Sequence, residues 1–262
     1  MRILSLNIAN YDDHSGWEKR RLKICELFTK TQPELISLQE VRFNPQQNTC
    51  LESYQNSAEE LLALLHSQNK FLEYRIITMP TMYYPTKYSY PSPKDKVIWE
   101  GKSLITNQKI LEYGNFLLTK PTASQDMNKR SIFWCRLKLD NSEFVLGNLH
   151  WGLDEAARIH NASQTAQFAD RFPNIPLILA GDYNTDPETL SQQQLIKANL
   201  SDLWLKAAVQ NPGYTFPASN PTRRIDQVWG NQMAVQCLKS MSIPEFYDMS
   251  DHLALLLELE IK

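Results

Sequence analysis

Four polar clusters carry residue types that can hold a hard cation and move a proton: Asn7, Gln39-Glu40, Gly181-Asp182-Tyr183-Asn184 and Ser250-Asp251-His252. The first three each follow a short apolar run: Ile3-Leu4-Ser5-Leu6, Leu35-Ile36-Ser37-Leu38 and Ile175-Pro176-Leu177-Ile178-Leu179-Ala180. Runs of that length read as buried strands. Strands that stop on Asn, Glu and Asp aim amides and carboxylates at one rim of a sheet, where open α/β sheets bind ligands. Carboxylate and amide oxygens suit Mg²⁺, with Mn²⁺ as a substitute. A histidine beside them suits proton transfer or charge stabilisation near neutral pH.

The elements that must position these groups are legible along the chain. A strand over 2–8 leads to a helix over 18–30, with Leu22, Cys25 and Phe28 on one face and a stop before Pro33. A strand over 34–40 follows. Ser57-Ala58-Glu59-Glu60 reads as a capping box that opens a helix to about Gln68. Strands are predicted near 72–78, 102–106, 110–119, 131–139 and 143–149. A helix follows from Asp154 to Arg171, and Asp186-Pro187 reads as the N-cap and first turn of another. The last strands fall near 225–229, 234–240 and 253–261.

Residues 79–99 form the odd segment, with Met79, Met82, Tyr83, Tyr84, Tyr88, Tyr90, Trp99 and four prolines. That composition predicts a long structured loop, packed on its own side chains or serving as a lid over a substrate.

The 262 residues are 42% apolar, ample for a sizeable core. A net charge of −2 gives no global attraction to nucleic acid or to an anionic membrane. Cys25, Cys50, Cys135 and Cys237 are scattered, which argues against a zinc site and a disulfide framework. Polar residues arrive too soon at the N-terminus for a signal peptide, and no window approaches a membrane span. A cytoplasmic monomer without a transmembrane segment is expected.

Seven short motifs in order carry a resemblance: Leu4-Ser5-Leu6-Asn7, Leu38-Gln39-Glu40-Val41, Glu100-Gly101, Asn148-Leu149-His150, Gly181-Asp182-Tyr183-Asn184, Arg224-Ile225-Asp226 and Ser250-Asp251-His252. The chain resembles the endonuclease/exonuclease/phosphatase superfamily, the DNase I-like fold, over essentially its whole length. Tyr183 replaces the usual phenylalanine. The resemblance implies one domain over 1–262, an α/β fold in four layers: two mixed sheets packed face to face with flanking helices. It implies metal-dependent hydrolysis of phosphate esters, with Glu40 binding Mg²⁺ and Asn7 and Asp251 completing or flanking the metal shell. Asp182 would orient the attacking water, held in place by Asn184. His150 and His252 would contact the scissile phosphate, partnered by Glu100 and Asp226 respectively. Which histidine is the acid stays open.

Outside those motifs, His14, His66 and His160 are assigned to surface or packing. Arg42, Lys129-Arg130 and Arg223-Arg224 are each candidates for phosphate contact or for structural roles, as an ion pair, a solvated turn and a support for the Asp226 strand respectively. The fold hosts many activities and does not choose among them. A phosphodiesterase acting on nucleic acid or a nucleotide is the first reading. A phosphatase or sphingomyelinase-like enzyme acting on a lipid or sugar phosphate is the alternative. A catalytically silent binding module is the third, disfavoured because every catalytic position is filled.

Overall fold

The computed structural model describes residues 1–43, 56–84, 98–139 and 142–260. Eighteen elements follow one another among the described residues. The first half runs β1 (Arg2–Asn7), α1 (Trp17–Thr31), β2 (Leu35–Phe43), α2 (Ser57–Ser67), β3 (Arg75–Tyr84), β4 (Ile98–Thr106) and β5 (Lys109–Leu118). Then come β6 (Arg130–Leu139), β7 (Ser142–His150), α3 (Glu155–Ala169), β8 (Leu177–Asp182), α4 (Leu190–Lys197), β9 (Ser201–Asp202) and α5 (Leu203–Lys206). The chain closes with β10 (Asp226–Gly230), α6 (Gln232–Cys237), β11 (Leu238–Ser242) and β12 (Leu255–Leu259).

Period-2 alternation builds the layers. On β1, Leu4 and Leu6 pack with Ile24, Phe28, Leu61 and Leu65 of α1 and α2, while Ile3 points the other way. On β7 and β8, Val145, Leu149, Leu177 and Leu179 pack with Phe168 of α3, while Leu146 and Ile178 join Ile3, Leu35 and Leu104 between the sheets. The result is an α/β sandwich of two mixed six-stranded sheets, ordered β11-β12-β1-β2-β4-β3 and β5-β6-β7-β8-β10-β9. β1 with β2 and β7 with β8 are parallel pairs; the remaining pairs are antiparallel.

Several local expectations are corrected. Asn56, not Ser57, caps α2 by accepting from Ala58 and Glu59 N–H, and the Ser57 hydroxyl instead accepts from Arg42 N–H. Asp186 caps no helix, because its carboxylate takes Arg223 Nε and Arg224 N–H; α4 starts after Thr189. The stretch 234–240 is not one strand: Asn231 caps α6 through Ala234 N–H, and β11 begins only at Leu238. A short apolar run fits either period, and here the cap decides.

The proposed loop over 79–99 is also mostly something else where it can be described. Met79 to Tyr84 complete β3, and Trp99 lies on β4. Among the described residues β3 is a sheet edge, where one side has no ladder partner and Pro80 is tolerated. The central part of that segment, with Tyr88 and Tyr90, lies outside the described residues.

Candidate active site

The same alternation that fills the core decides which polar side chains enter the gap between the sheets. Counting by twos from Ile3 reaches Asn7, from Leu146 reaches Asn148 and His150, and from Ile178 reaches Asp182. Register then sets them side by side: His150 lies opposite Asp182 on parallel β7 and β8, and Asp226 lies opposite Asp182 on antiparallel β10. All four of Asn7, His150, Asp182 and Asp226 are buried. Gly181 allows this approach, since at its φ of 152° a Cβ would sit 2.1 Å from the Leu149 carbonyl oxygen.

Gln39 and Asn148 stitch the two sheets together below the rim. Gln39 Nε2 donates to Asn148 Oδ1 at 2.8 Å, and Asn148 Nδ2 donates to the Leu38 and Ser103 carbonyls at 2.9 and 3.2 Å. Past Gln39 the register of β2 against β4 shifts, and Glu40 takes a left-handed φ of 56°. This bulge turns the Glu40 carboxylate towards β1. Asn7 Nδ2 donates to Glu40 Oε1 at 3.0 Å and to Asp182 Oδ2 at 3.1 Å, joining the two carboxylates. Asn7 Oδ1 accepts from Ala9 N–H, which fixes the amide's orientation. Asn10 completes the cradle: its N–H and its Nδ2 both donate to Glu40 Oε2 at 3.1 Å.

Two histidines converge on one oxygen. His150 Nε2 and His252 Nε2 lie 3.6 and 3.8 Å from Asp182 Oδ2. His252 Nδ1 is 2.8 Å from Asp226 Oδ2, with both residues buried. The Ser250-Asp251-His252 segment is anchored from both sides: Ser250 Oγ donates to the Asn7 carbonyl at 2.6 Å and accepts from His252 N–H at 3.1 Å. Asn184, at a φ of 54°, donates its own N–H to Asp182 Oδ1 at 2.8 Å and its Nδ2 to the Trp151 carbonyl.

The electrostatics separate the histidines. Burial works against a charge on His252, but the hydrogen-bonded Asp226 and the nearby Asp182 and Asp251 outweigh it and raise its pKa to about 10. His150 is held well below its usual range by burial and by the positive Arg130, Lys102 and His252. At neutral pH the first is an imidazolium and the second a neutral ring. Burial pushes Asp182 up to about 6, with His252 opposing and Asp226 assisting.

Two of the expected placements differ. Glu100 does not hydrogen-bond His150 among the described residues. Its carboxylate takes Arg42 Nη2 at 2.7 Å and Asn10 Nδ2 at 3.3 Å, because buried Arg42 draws Glu100, Asp12 and Asp13 around itself. Arg42 is thus an ion-pair centre, stacked on Tyr84. Asp251 stands on the His252 side, 3.9 Å from its Nε2, with no direct contact to Glu40 among the described residues. Of the other candidates, Arg224 forms a buried two-pronged pair with Asp202, Arg223 pairs with Asp186 and Arg130 with Asp126. His14 approaches Asp251 at 3.9 Å, whereas His66 meets the Phe71 carbonyl and His160 the Thr119 hydroxyl, away from the site. Asn10 and Lys102 were not anticipated from sequence. Asn10 follows a left-handed Ala9 (φ 50°), and nothing in the residue types signals that turn.

The donor set fits a hard divalent cation. Glu40 is held by amides and, among the described residues, forms no ion pair with Lys, Arg or His; the Arg20 guanidinium lies near enough to feel its charge but donates to the Ile8 and Ala9 carbonyls. A carboxylate at a rim, beside Asp182 and two amides, is the chemistry such a cation seeks. Asp182, Asp226 and His252 also offer ligand atoms within 4.8 Å of one another. Their mutual contacts already engage that trio with one another.

Comparison with known proteins finds relatives that share this fold. The uncharacterized protein YbhP of Escherichia coli K12 is 22% identical over 164 residues, 62% of this chain and 63% of that relative, so less than two thirds of its length is spanned. An endonuclease/exonuclease/phosphatase family protein from Leptotrichia buccalis superposes with a TM-score of 0.78 at 19% identity, covering 100% of both chains. The mannosyl-6-phosphatase of Bacteroides thetaiotaomicron superposes with a TM-score of 0.72 at 20% identity, again over 100% of both. The model of the endonuclease/exonuclease/phosphatase family matches residues 4–252, from the first strand to His252, and the chain belongs to that family of phosphoester hydrolases.

Proposed function

We propose that the protein is a divalent-metal-dependent phosphodiesterase. The observation that carries this reading is the chain Asp226–His252–Asp182, linked through Asn7 to Glu40. Four carboxylates, those of Glu40, Asp182, Asp226 and Asp251, border the gap where phosphate would sit, with the His252 imidazolium among them and the cations Arg130 and Lys102 on the His150 side.

Glu40 is the residue best suited to hold Mg²⁺ or Mn²⁺, with Asn7 fixing its carboxylate. A bound divalent cation would supply positive charge to a phosphate oxygen and to the departing oxygen. The chain's own groups supply the rest. Asp182, its pKa raised towards neutrality, accepts the proton of an attacking water, steadied by Asn7 Nδ2 and Asn184 N–H. His252, kept protonated by Asp226, offers Nε2–H to the phosphate and returns a proton to the alcohol that leaves. Neutral His150 presents its ring to the same phosphate without adding charge.

The test is hydrolysis of bis-p-nitrophenyl phosphate and p-nitrophenyl phosphate with Mg²⁺, Mn²⁺ or EDTA. Diester turnover that EDTA abolishes is expected. Cleavage of the monoester alone would replace the reading with a phosphomonoesterase, the activity that the Bacteroides protein's name carries. Turnover unaffected by EDTA would refute the metal.

A further inference from the structure

We propose that the cleft between residues 217–221 and 247–251 receives the alcohol that leaves the phosphate, and that this alcohol is a sugar ring with free hydroxyls and no second charge. This rests on the phosphodiesterase reading and specifies its substrate class: phosphodiesters of a hexose or a ribose.

The cleft has a volume of about 470 Å³, inside the range of roughly 300–1,000 Å³ that small-molecule pockets occupy. It adjoins the site: Ser250 and Asp251 belong to its wall, and Asp251 Oδ1 lies 3.9 Å from His252 Nε2. That nitrogen is the one placed to return a proton to the leaving oxygen, so the body of the alcohol finds room on this side. The walls are held before a ligand arrives. Ala218 N–H donates to the Asp251 carbonyl at 2.7 Å and ties the two segments together. Asn220 N–H donates to the Pro217 carbonyl at 3.0 Å, and Ser250 Oγ anchors the other wall to the Asn7 carbonyl at 2.6 Å. Such pre-organisation lowers the ordering cost of binding.

The lining selects a neutral ring that carries hydroxyls. No Lys, Arg or His lines the cleft among the described residues, whereas Asp248 and Asp251 do. Lys23 pairs with Asp248 at 2.9 Å. The Asp251 carboxylate has longer contacts: Ser250 Oγ at 3.4 Å, and His14 Nε2 and His252 Nε2 at 3.9 Å. It therefore keeps acceptor capacity. A second phosphate is repelled by that charge, while a hydroxyl can donate to it in a charge-assisted bond. Exposed Ser219 adds a hydroxyl that both donates and accepts. Beside these polar groups stand Tyr247, 54% exposed, with Pro217 and Pro221. An aromatic face and proline carbons suit the C–H faces of a sugar ring, whose hydroxyls project from its edge. An alkyl chain would instead cover the Asp251 carboxylate without giving it a donor, which is costly.

Two measurements test this, the first without turnover. Methyl glucopyranoside and methyl ribofuranoside are offered to the full chain in EDTA, and saturation transfer from protein to ring protons is read by NMR. Wild type, Tyr247→Ala and Ser219→Trp are compared, each checked for folding by circular dichroism. Transfer to at least one glycoside, with millimolar affinity, is expected in the wild type. It should weaken in Tyr247→Ala and vanish in Ser219→Trp, whose indole fills the cleft. No transfer to either glycoside in the wild type, or equal transfer in Ser219→Trp, overturns the subsite whatever the activity. The second measurement uses mixed diesters that join ethyl phosphate to the primary hydroxyl of either glycoside, or to cyclohexylmethanol, whose ring has no hydroxyls. Phosphorus NMR reads which ester bond breaks, so overall loss of activity cancels from the ratio. The wild type should release the glycoside rather than ethanol, and both variants should lower that ratio by about tenfold. The glycoside released with the higher ratio tells hexose from ribose. A ratio unchanged in both variants, or an equal preference for releasing cyclohexylmethanol, would sink the subsite while leaving the phosphodiesterase reading intact; no turnover of any diester would sink the reading and leave the saturation transfer to decide the subsite.

Discussion

Replacing Asp226 with Asn probes the proposed mechanism and the electrostatics together. Asp226 Oδ2 lies 2.8 Å from His252 Nδ1, and both side chains are buried. The rise in the His252 pKa from 6.5 to about 10, at roughly 1.4 kcal/mol per pH unit, bounds the site's preference for imidazolium at roughly 5 kcal/mol. Asp182 and Asp251 supply part of that preference, and Asn keeps a neutral hydrogen bond. A loss of about 3 kcal/mol of folding stability at pH 6 follows, at the lower end for a buried pair deprived of one partner. The sign is set by linkage. A histidine with a raised folded-state pKa contributes fully below its unfolded value of 6.5 and loses that contribution as pH rises through about 10. Urea denaturation of wild type and Asp226→Asn at pH 6, 8 and 10.5 should show the gap between them shrinking with pH. Diester hydrolysis should fall about 10²–10⁴-fold, the scale of a misplaced general acid. A stability gap that is constant across pH, or activity within threefold of wild type, would refute the reasoning.

Other substitutions separate charge from packing. Glu40→Gln should reduce Mg²⁺-dependent turnover by at least about 10²-fold; because Glu40 accepts three hydrogen bonds from Asn7 and Asn10, it should also cost about 1–3 kcal/mol in urea denaturation, and retained activity would remove Glu40 from the metal site. Arg42→Met leaves Glu100, Asp12 and Asp13 without their shared cation and should cost roughly 3–5 kcal/mol, measured by urea denaturation at pH 7 and relieved at pH 4; no change would mean that the cluster is solvated. Gly181→Ala drives a Cβ to 2.1 Å from the Leu149 carbonyl at a φ of 152° and should cost about 3 kcal/mol or more of thermal stability; a neutral effect would mean that β7 and β8 can separate without loss.

The sequence by itself determined the parts whose signal is local. Alternation along β1, β7 and β8 sets which residues face the gap between sheets, and Asn7, His150 and Asp182 fall on the inward phase of strands that are already apolar runs. The order of the seven motifs carried the family and its fold. Tertiary structure decided what depends on contacts between distant segments. The pairing of Glu100 was one: the resemblance implied His150 as its partner, but buried Arg42 is the stronger partner, being a full cation that needs neutralising. Asn10 was another, since it acquires its role from a left-handed turn at Ala9 that no residue type announces. The charge states of the histidines were a third. They are chemically alike in sequence, and only the fold places His252 against Asp226 and His150 beside Arg130 and Lys102. Propensity and period act over a few residues, whereas burial, counter-charge and register are properties of the assembled sheets.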